Sequence, residues 1–160
     1  MLLLSGSVCL AQEPEKTMEI NRQFGQVCLG EYVTAEMAAE SFGLPCIYSK
    51  EEYHDYSSIV IRTPFEWNDV RWDELIVDYD ILEIAQGIQF SVSSRSDIKN
   101  IYDVLKEKYT GEYGEGEETL TPGGVDLVSL WSDDVTTIQL THRIFKDTGR
   151  QYVILAAIRH

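Results

Sequence analysis

An α+β fold, a mainly antiparallel sheet packed against one or two helices, is predicted by three observations. Residues 82–92 alternate apolar with polar side chains. Residues 98–109 repeat apolar side chains at three- and four-residue steps, and beyond residue 124 three strand-like runs are separated by two short polar turns. A length of 160 residues suits one domain, and 44% hydrophobic residues with 11% aromatics supply its core.

Residues 1–11 (MLLLSGSVCLA) carry no charged side chain and end in Cys9-Leu10-Ala11 before Gln12, the pattern of an export signal with a small-x-small cleavage site. The expected mature chain, residues 12–160, is then a single domain in the periplasm or secreted. An acylated Cys9 would want a small residue before it and a leucine three before it, where Val8 and Gly6 stand. No other run approaches the ~20 apolar residues of a membrane span, so none is expected.

After cleavage Cys28 and Cys46 remain, and an even count in an oxidising compartment predicts one disulfide between them. Between them Thr34 is placed to cap a short helix, Ala35, Ala38 and Ala39 favour it, and Gly43 and Pro45 stop it. The bridge would pin both ends of this helix, which should bury Met37 and Phe42. Such a loop closure contributes about 3 kcal/mol in the chain-entropy picture.

Residues 58–63 (SIVIRT) read as a β-branched strand stopped by Pro64, whereas 65–73 is polar, carries two tryptophans and has no clear period. Leu82, Ile84, Ile88, Phe90 and Val92 then alternate with Glu83, Ala85, Gly87, Gln89 and Ser91, with Gly87 placed for a bulge. The run Ser94-Ser-Arg-Ser-Asp opens the clearest helix, whose apolar stripe is Ile98, Ile101, Tyr102, Leu105 and Tyr109 and which Gly111 is placed to close. Residues 111–124, rich in glycine and glutamate, read as a loop. Strands are expected near 125–131, 135–145 and 151–159, joined by Ser132-Asp133-Asp134 and Lys146-Asp-Thr-Gly149. The middle one has a wet face (Thr137, Gln139, Thr141, Arg143), and the last is apolar on both parities, as a central strand is.

The formal charge of −14, from 27 acidic and 13 basic residues, disfavours nucleic acid and anionic lipid as partners and leaves a basic protein or a cation. No catalytic motif or phosphate-cradling loop is present, and no cofactor or metal is expected. His142, on the apolar parity of its strand, could be an acid or base, although a hydrogen-bonded structural histidine is the commoner case. His54 beside Glu51, Glu52 and Asp55 could hold a cation, and Asp78 with Asp80 or Asp133 with Asp134 could form a carboxylate pair. Those residues support a hydrolase as an alternative, and Glu112, Glu115, Glu117 and Glu118, which could ligate calcium, support a calcium-dependent ligand binder. The stronger pattern is aromatic and acidic together. Tyr53, Tyr56, Trp67 and Trp72 in 51–73, with Glu115, Glu117 and Glu118 in the glycine-rich stretch, suit a protein-binding surface.

Phe24-Gly-Gln-Val-Cys-Leu-Gly30, Thr34-x-Glu36 and Phe42-Gly43-x-Pro45 together resemble the Leu-Gly, Thr-x-Glu, Leu-Gly-x-Pro opening of small exported bacterial envelope modules of the SmpA/OmlA type, over about residues 24–46. The resemblance implies helix-plus-hairpin architecture and action by binding other proteins; this chain departs from it in its lipidation site and its added cysteines. The expected function is a non-enzymatic protein-binding domain, most concretely an inhibitor or immunity protein for a basic partner, with an envelope assembly component as the alternative.

Overall fold

The computed structural model describes residues 18–121 and 126–160, so the expected export signal, residues 1–11, lies outside the described residues. A small hairpin of β1 (Gln23–Phe24) and β2 (Val27–Cys28) comes first, followed by α1 (Ala35–Glu40). The Thr34 hydroxyl accepts from the Met37 N–H at 3.2 Å, as a capping residue should. Gly43, at φ 65°, lets the Leu44 N–H reach back to the Ala39 carbonyl at 2.9 Å. Ala38 and Ala39 are the fully buried contacts of α1; Met37 and Phe42 are only half-buried.

The expected Cys28–Cys46 disulfide is not formed, and both thiols are free. Cys28 directs its Sγ toward the Leu29 carbonyl, while Cys46 is exposed beyond Pro45, near Glu36 and Glu40. Ser41 ties the helix to the hairpin instead: its Oγ donates to the Met37 carbonyl at 2.7 Å and accepts from the Gln26 N–H at 2.8 Å. Two ordinary hydrogen bonds thus make the connection for which a covalent one was expected.

The chain continues through β3 (Ser49–Glu52), β4 (Ser57–Ile61), β5 (Phe65–Trp67), β6 (Val70–Trp72), β7 (Glu74–Tyr79) and β8 (Ala85–Ser94). After α2 (Lys99–Tyr113) come β9 (Glu117–Leu120), β10 (Asp126–Ser132), β11 (Thr136–Phe145) and β12 (Arg150–Arg159). Eight strands pair antiparallel in the order β3-β4-β7-β8-β12-β11-β10-β9, and β5 with β6 forms a separate hairpin. The fold is α+β. As its two apolar parities predict, β12 lies inside the sheet, between β8 and β11. Gly87 sits beside a break in register, where Asp78 pairs with Gly87 but Tyr79 with Ala85.

One face of the sheet carries the core. Leu75, Val77, Ile88, Phe90, Ile138, Leu140, Val153 and Leu155 are buried on it, under Tyr102, Leu105 and Tyr109 of α2. Phe90 is the hub beneath the hairpins: Trp67 stacks on it at 4.3 Å, and Phe24 and Trp72 approach it at 6.4 and 5.6 Å between centroids. Each such side chain removed from water contributes about 1.5–3 kcal/mol. The helix closes later than expected. It runs through Gly111 to Tyr113, which stacks on Tyr109 and accepts the Asn21 N–H, and Gly114 at φ 85° ends it. Among the described residues no helix is long and apolar enough to cross a membrane.

The other face stays wet, and its polar groups satisfy one another. Arg143 holds Asp126 with two bonds of 2.7 and 2.6 Å, Arg62 donates to Glu74 at 2.8 Å, Gln139 donates to Thr141, and Ser132 pairs with Thr137.

Candidate protein-binding surface

Register brings three turns to one end of the sheet. Ser57 pairs with Tyr79, Gly87 with Ile158 and Ser132 with Thr137, so the β3–β4, β7–β8 and β10–β11 turns all project there. Of the twelve exposed large apolar side chains among the described residues, six stand at this turn end: Tyr32, Tyr53, Tyr56, Ile81, Leu82 and Ile158. Five of the others, Ile47, Tyr48, Leu120, Ile144 and Phe145, stand at the opposite end, so the mark of the turn end is not the count but an adjacent aliphatic pair, Ile81 and Leu82, exposed on a single turn.

Tyr53 and Tyr56 close the β3–β4 turn with their rings stacked at 4.5 Å and 16°. The Tyr53 hydroxyl donates to Glu51 at 2.8 Å, and that bond pushes its pKa up. The next turn along the sheet end, between β7 and β8, is organised by Asp80. Its Oδ1 accepts from the Leu82 and Ile84 N–H groups at 2.9 and 3.1 Å, its Oδ2 accepts from Gln86 at 2.9 Å, and the Glu83 N–H closes on the Asp80 carbonyl at 3.0 Å. Residues 30–33 run alongside, with the Gly30 and Val33 N–H groups donating to the Ala85 and Glu83 carbonyls. Ile81 and Leu82 stand out from this frame, 86% and 72% exposed. Tyr32 lies beside them, and its hydrogen bond to Glu83 pushes its hydroxyl pKa up.

Charge separates the two ends. Glu31, Asp55, Glu83, Asp134 and Glu115 lie at the turn end, against Arg159 and an Arg22 already paired with Asp133 at 3.5 Å. At the far end Arg62, Arg95, Arg143, Lys146 and Arg150 are balanced by Asp73, Glu74, Asp97, Asp126 and Asp147. Acids thus outnumber bases around the turns, whereas the named charges of the far end balance.

The expected binding residues divide three ways. Tyr53 and Tyr56 are on this surface. Trp72 is fully buried, with its Nε1–H donating to the Trp67 carbonyl at 3.0 Å, and Trp67 is half-buried on Phe90, so both belong to the core. Glu115, Glu117 and Glu118 are exposed on and before β9, the opposite edge strand, where Glu118 pairs with Lys106. Seven strand spacings of ~4.8 Å put about 34 Å between that edge and the tyrosines. Ile81 and Leu82 were missed as site residues. The signal available was Asp80 ahead of them, a turn-forming residue where a continuous strand would have none.

The groups weighed for catalysis are engaged elsewhere. His142 is buried, with its Nε2 2.9 Å from Gln151 Oε1, which also accepts the Ile98 N–H. Asp78 accepts from Ser58, Asp80 and Asp133 hold turns, and His54 faces Asp55 at 3.7 Å on an open surface. Among the described residues no three His, Cys, Asp or Glu side chains converge as a metal site would require.

Three of these contacts predict acid lability. Hydrogen bonds from the Ile84 and Leu82 N–H groups hold Asp80 below the ordinary carboxylate pKa, and the Arg143 guanidinium does the same for Asp126. Burial pushes Asp133 up, but the Ile20, Val135 and Thr136 N–H groups with Arg22 outweigh it and leave it lowered. A carboxyl with a depressed folded pKa contributes stability that is complete above its unfolded pKa, about 3.9, and lost as pH falls through the lower folded value. Urea midpoints should accordingly hold steady from neutral pH to about pH 5 as far as these groups act, then drop below about pH 4. A midpoint that rose between pH 4 and 2 would contradict this assignment.

Compared with known proteins, the chain matches no family model, no curated protein and no solved structure, so its own residues carry the reading of this surface.

Proposed function

We propose that this chain is an exported protein-binding domain, acting without catalysis, that captures a basic partner at the turn end of its sheet. The observation that carries this reading is an adjacent pair of exposed aliphatic side chains, Ile81 and Leu82, on a turn flanked by Glu31, Asp55 and Glu83. Interfaces of this kind place apolar and aromatic anchors inside a polar rim, and opposite charge speeds encounter and rejects wrong partners. The wet face carries an exposed Phe145, but its charges are largely paired, Arg143 with Asp126 and Arg62 with Glu74. An inhibitor or immunity protein is the most concrete form of this function, since either must find one target quickly.

The test is retention of partners by the full mature chain from extracts of its source cells, at low and then raised salt. A basic protein that is held at low salt and released as salt rises is expected. The triple reversal Glu31→Lys/Asp55→Lys/Glu83→Lys should slow its association about tenfold or more. Equal retention by the reversed chain would contradict the proposal.

A further inference from the structure

We infer that the Ile81–Leu82 turn is a pre-shaped plug, which enters an apolar cleft in the basic protein partner while Glu31, Asp55 and Glu83 meet the cleft's basic rim. This rests on the reading that the turn end binds a protein, and it assigns which element penetrates.

Shape is the first argument. Five hydrogen bonds around Asp80, with the Gly30–Val33 segment strapped to Glu83 and Ala85, leave the turn one conformation. Glu83 is held at φ 59°, a left-handed conformation that a non-glycine residue adopts only when its surroundings impose it. A turn so fixed loses little freedom on binding, and preorganisation of this sort is what raises affinity.

Chemistry is the second. Solvent-facing turns carry Gly, Asn, Asp, Ser and Pro, yet here two adjacent large aliphatic side chains stand almost wholly in water. Neither contributes to the core, so their cost in solvent is recovered only in a complex. The flanking acids select the occupant. They repel an anionic membrane, and a second copy docking on the same patch would set acid against acid.

The experiment places a photo-crosslinking residue at position 81 of the full chain, irradiates it in source-cell extract, and purifies the captured protein. Its affinity is then measured by calorimetry against the wild type, Ile81→Ser/Leu82→Ser, Leu120→Ser and Glu31→Lys/Glu83→Lys. A basic protein is expected whose affinity falls about a hundredfold or more with the double serine variant. Leu120→Ser, at an exposed apolar site on β9, should stay within about twofold, and every variant should keep the wild-type melting temperature. If the double serine variant binds like wild type while the charge reversal weakens binding, the plug is overturned and the protein-binding function stands. If no protein crosslinks at position 81 while the chain still retains a basic protein, the plug alone is overturned; if the chain retains no protein, or instead binds neutral phosphatidylcholine vesicles, the plug and the protein-binding function both fail.

Discussion

Trp72→Ala lowers the unfolding free energy by about 3–5 kcal/mol, the range for a large aromatic removed from a packed core. The indole is fully buried, lies 5.6 Å from the Phe90 ring and donates its Nε1–H to the Trp67 carbonyl at 3.0 Å. Truncation therefore opens a cavity and removes a hydrogen bond to Trp67 beside the β5–β6 turn, and Trp67 stacks on the same Phe90. Against a total stability of about 5–15 kcal/mol the loss is large. Urea unfolding should show a lower midpoint with an unchanged slope. Trp72→Phe keeps most of the volume and loses only the hydrogen bond, so about 1–2 kcal/mol is expected. A Trp72→Ala chain of native stability but weakened partner binding would restore Trp72 to the surface role expected from sequence.

Asp133→Ala should cost about 2–4 kcal/mol, because one carboxylate satisfies three backbone donors and a cation. Its Oδ1 accepts from the Val135 and Thr136 N–H groups at 2.8 and 2.7 Å and shapes the β10–β11 turn. Its Oδ2 accepts from the Ile20 N–H at 2.8 Å, joining residues 113 apart in sequence, with Arg22 at 3.5 Å. Ile20 is itself buried, so the bond registers the start of the described chain against the sheet. Hydrogen exchange at Ile20 and Val135 should quicken in the variant along with a fall in melting temperature; unchanged exchange at Ile20 would show that packing alone holds that segment.

The part of the fold nearest to its sequence expectation is the β10–β12 meander, because its turns carry Asp133 and Gly149 and its strands alternate cleanly. The helix over 99–113 was equally plain from its apolar stripe, but its end was not. A Cβ at Gly111 would meet nothing within 4 Å, so the position does not need glycine, and the packing of Tyr113 on Tyr109 carries the helix past it. β7 does alternate, with Leu75, Val77 and Tyr79 inward, yet Ile76 on the wet face blurs the pattern. β5 and β6 are three residues each, joined by Asn68 and Asp69 at φ 54° and 60°, too short to show a period. Sequence placed Leu82 on the buried parity of a strand; the Asp80 turn instead starts β8 at Ala85 and leaves Leu82 in solvent. For the surface, Tyr53 and Tyr56 were legible because two tyrosines amid acids have no core to join. Trp67 and Trp72 looked alike in sequence, and only the hairpin's folding back on Phe90 separates them from the tyrosines.

The most direct test of the central claim is hydrogen exchange of the full chain, free and with the basic protein it retains at low salt, mapped along the sequence. Protection on binding should fall on residues 30–33, 53–56 and 80–84, leaving the exchange of 137–145 and 117–120 unchanged. Protection confined to β11 and the wet face, or to the β9 edge, would contradict the assignment of binding to the turn end.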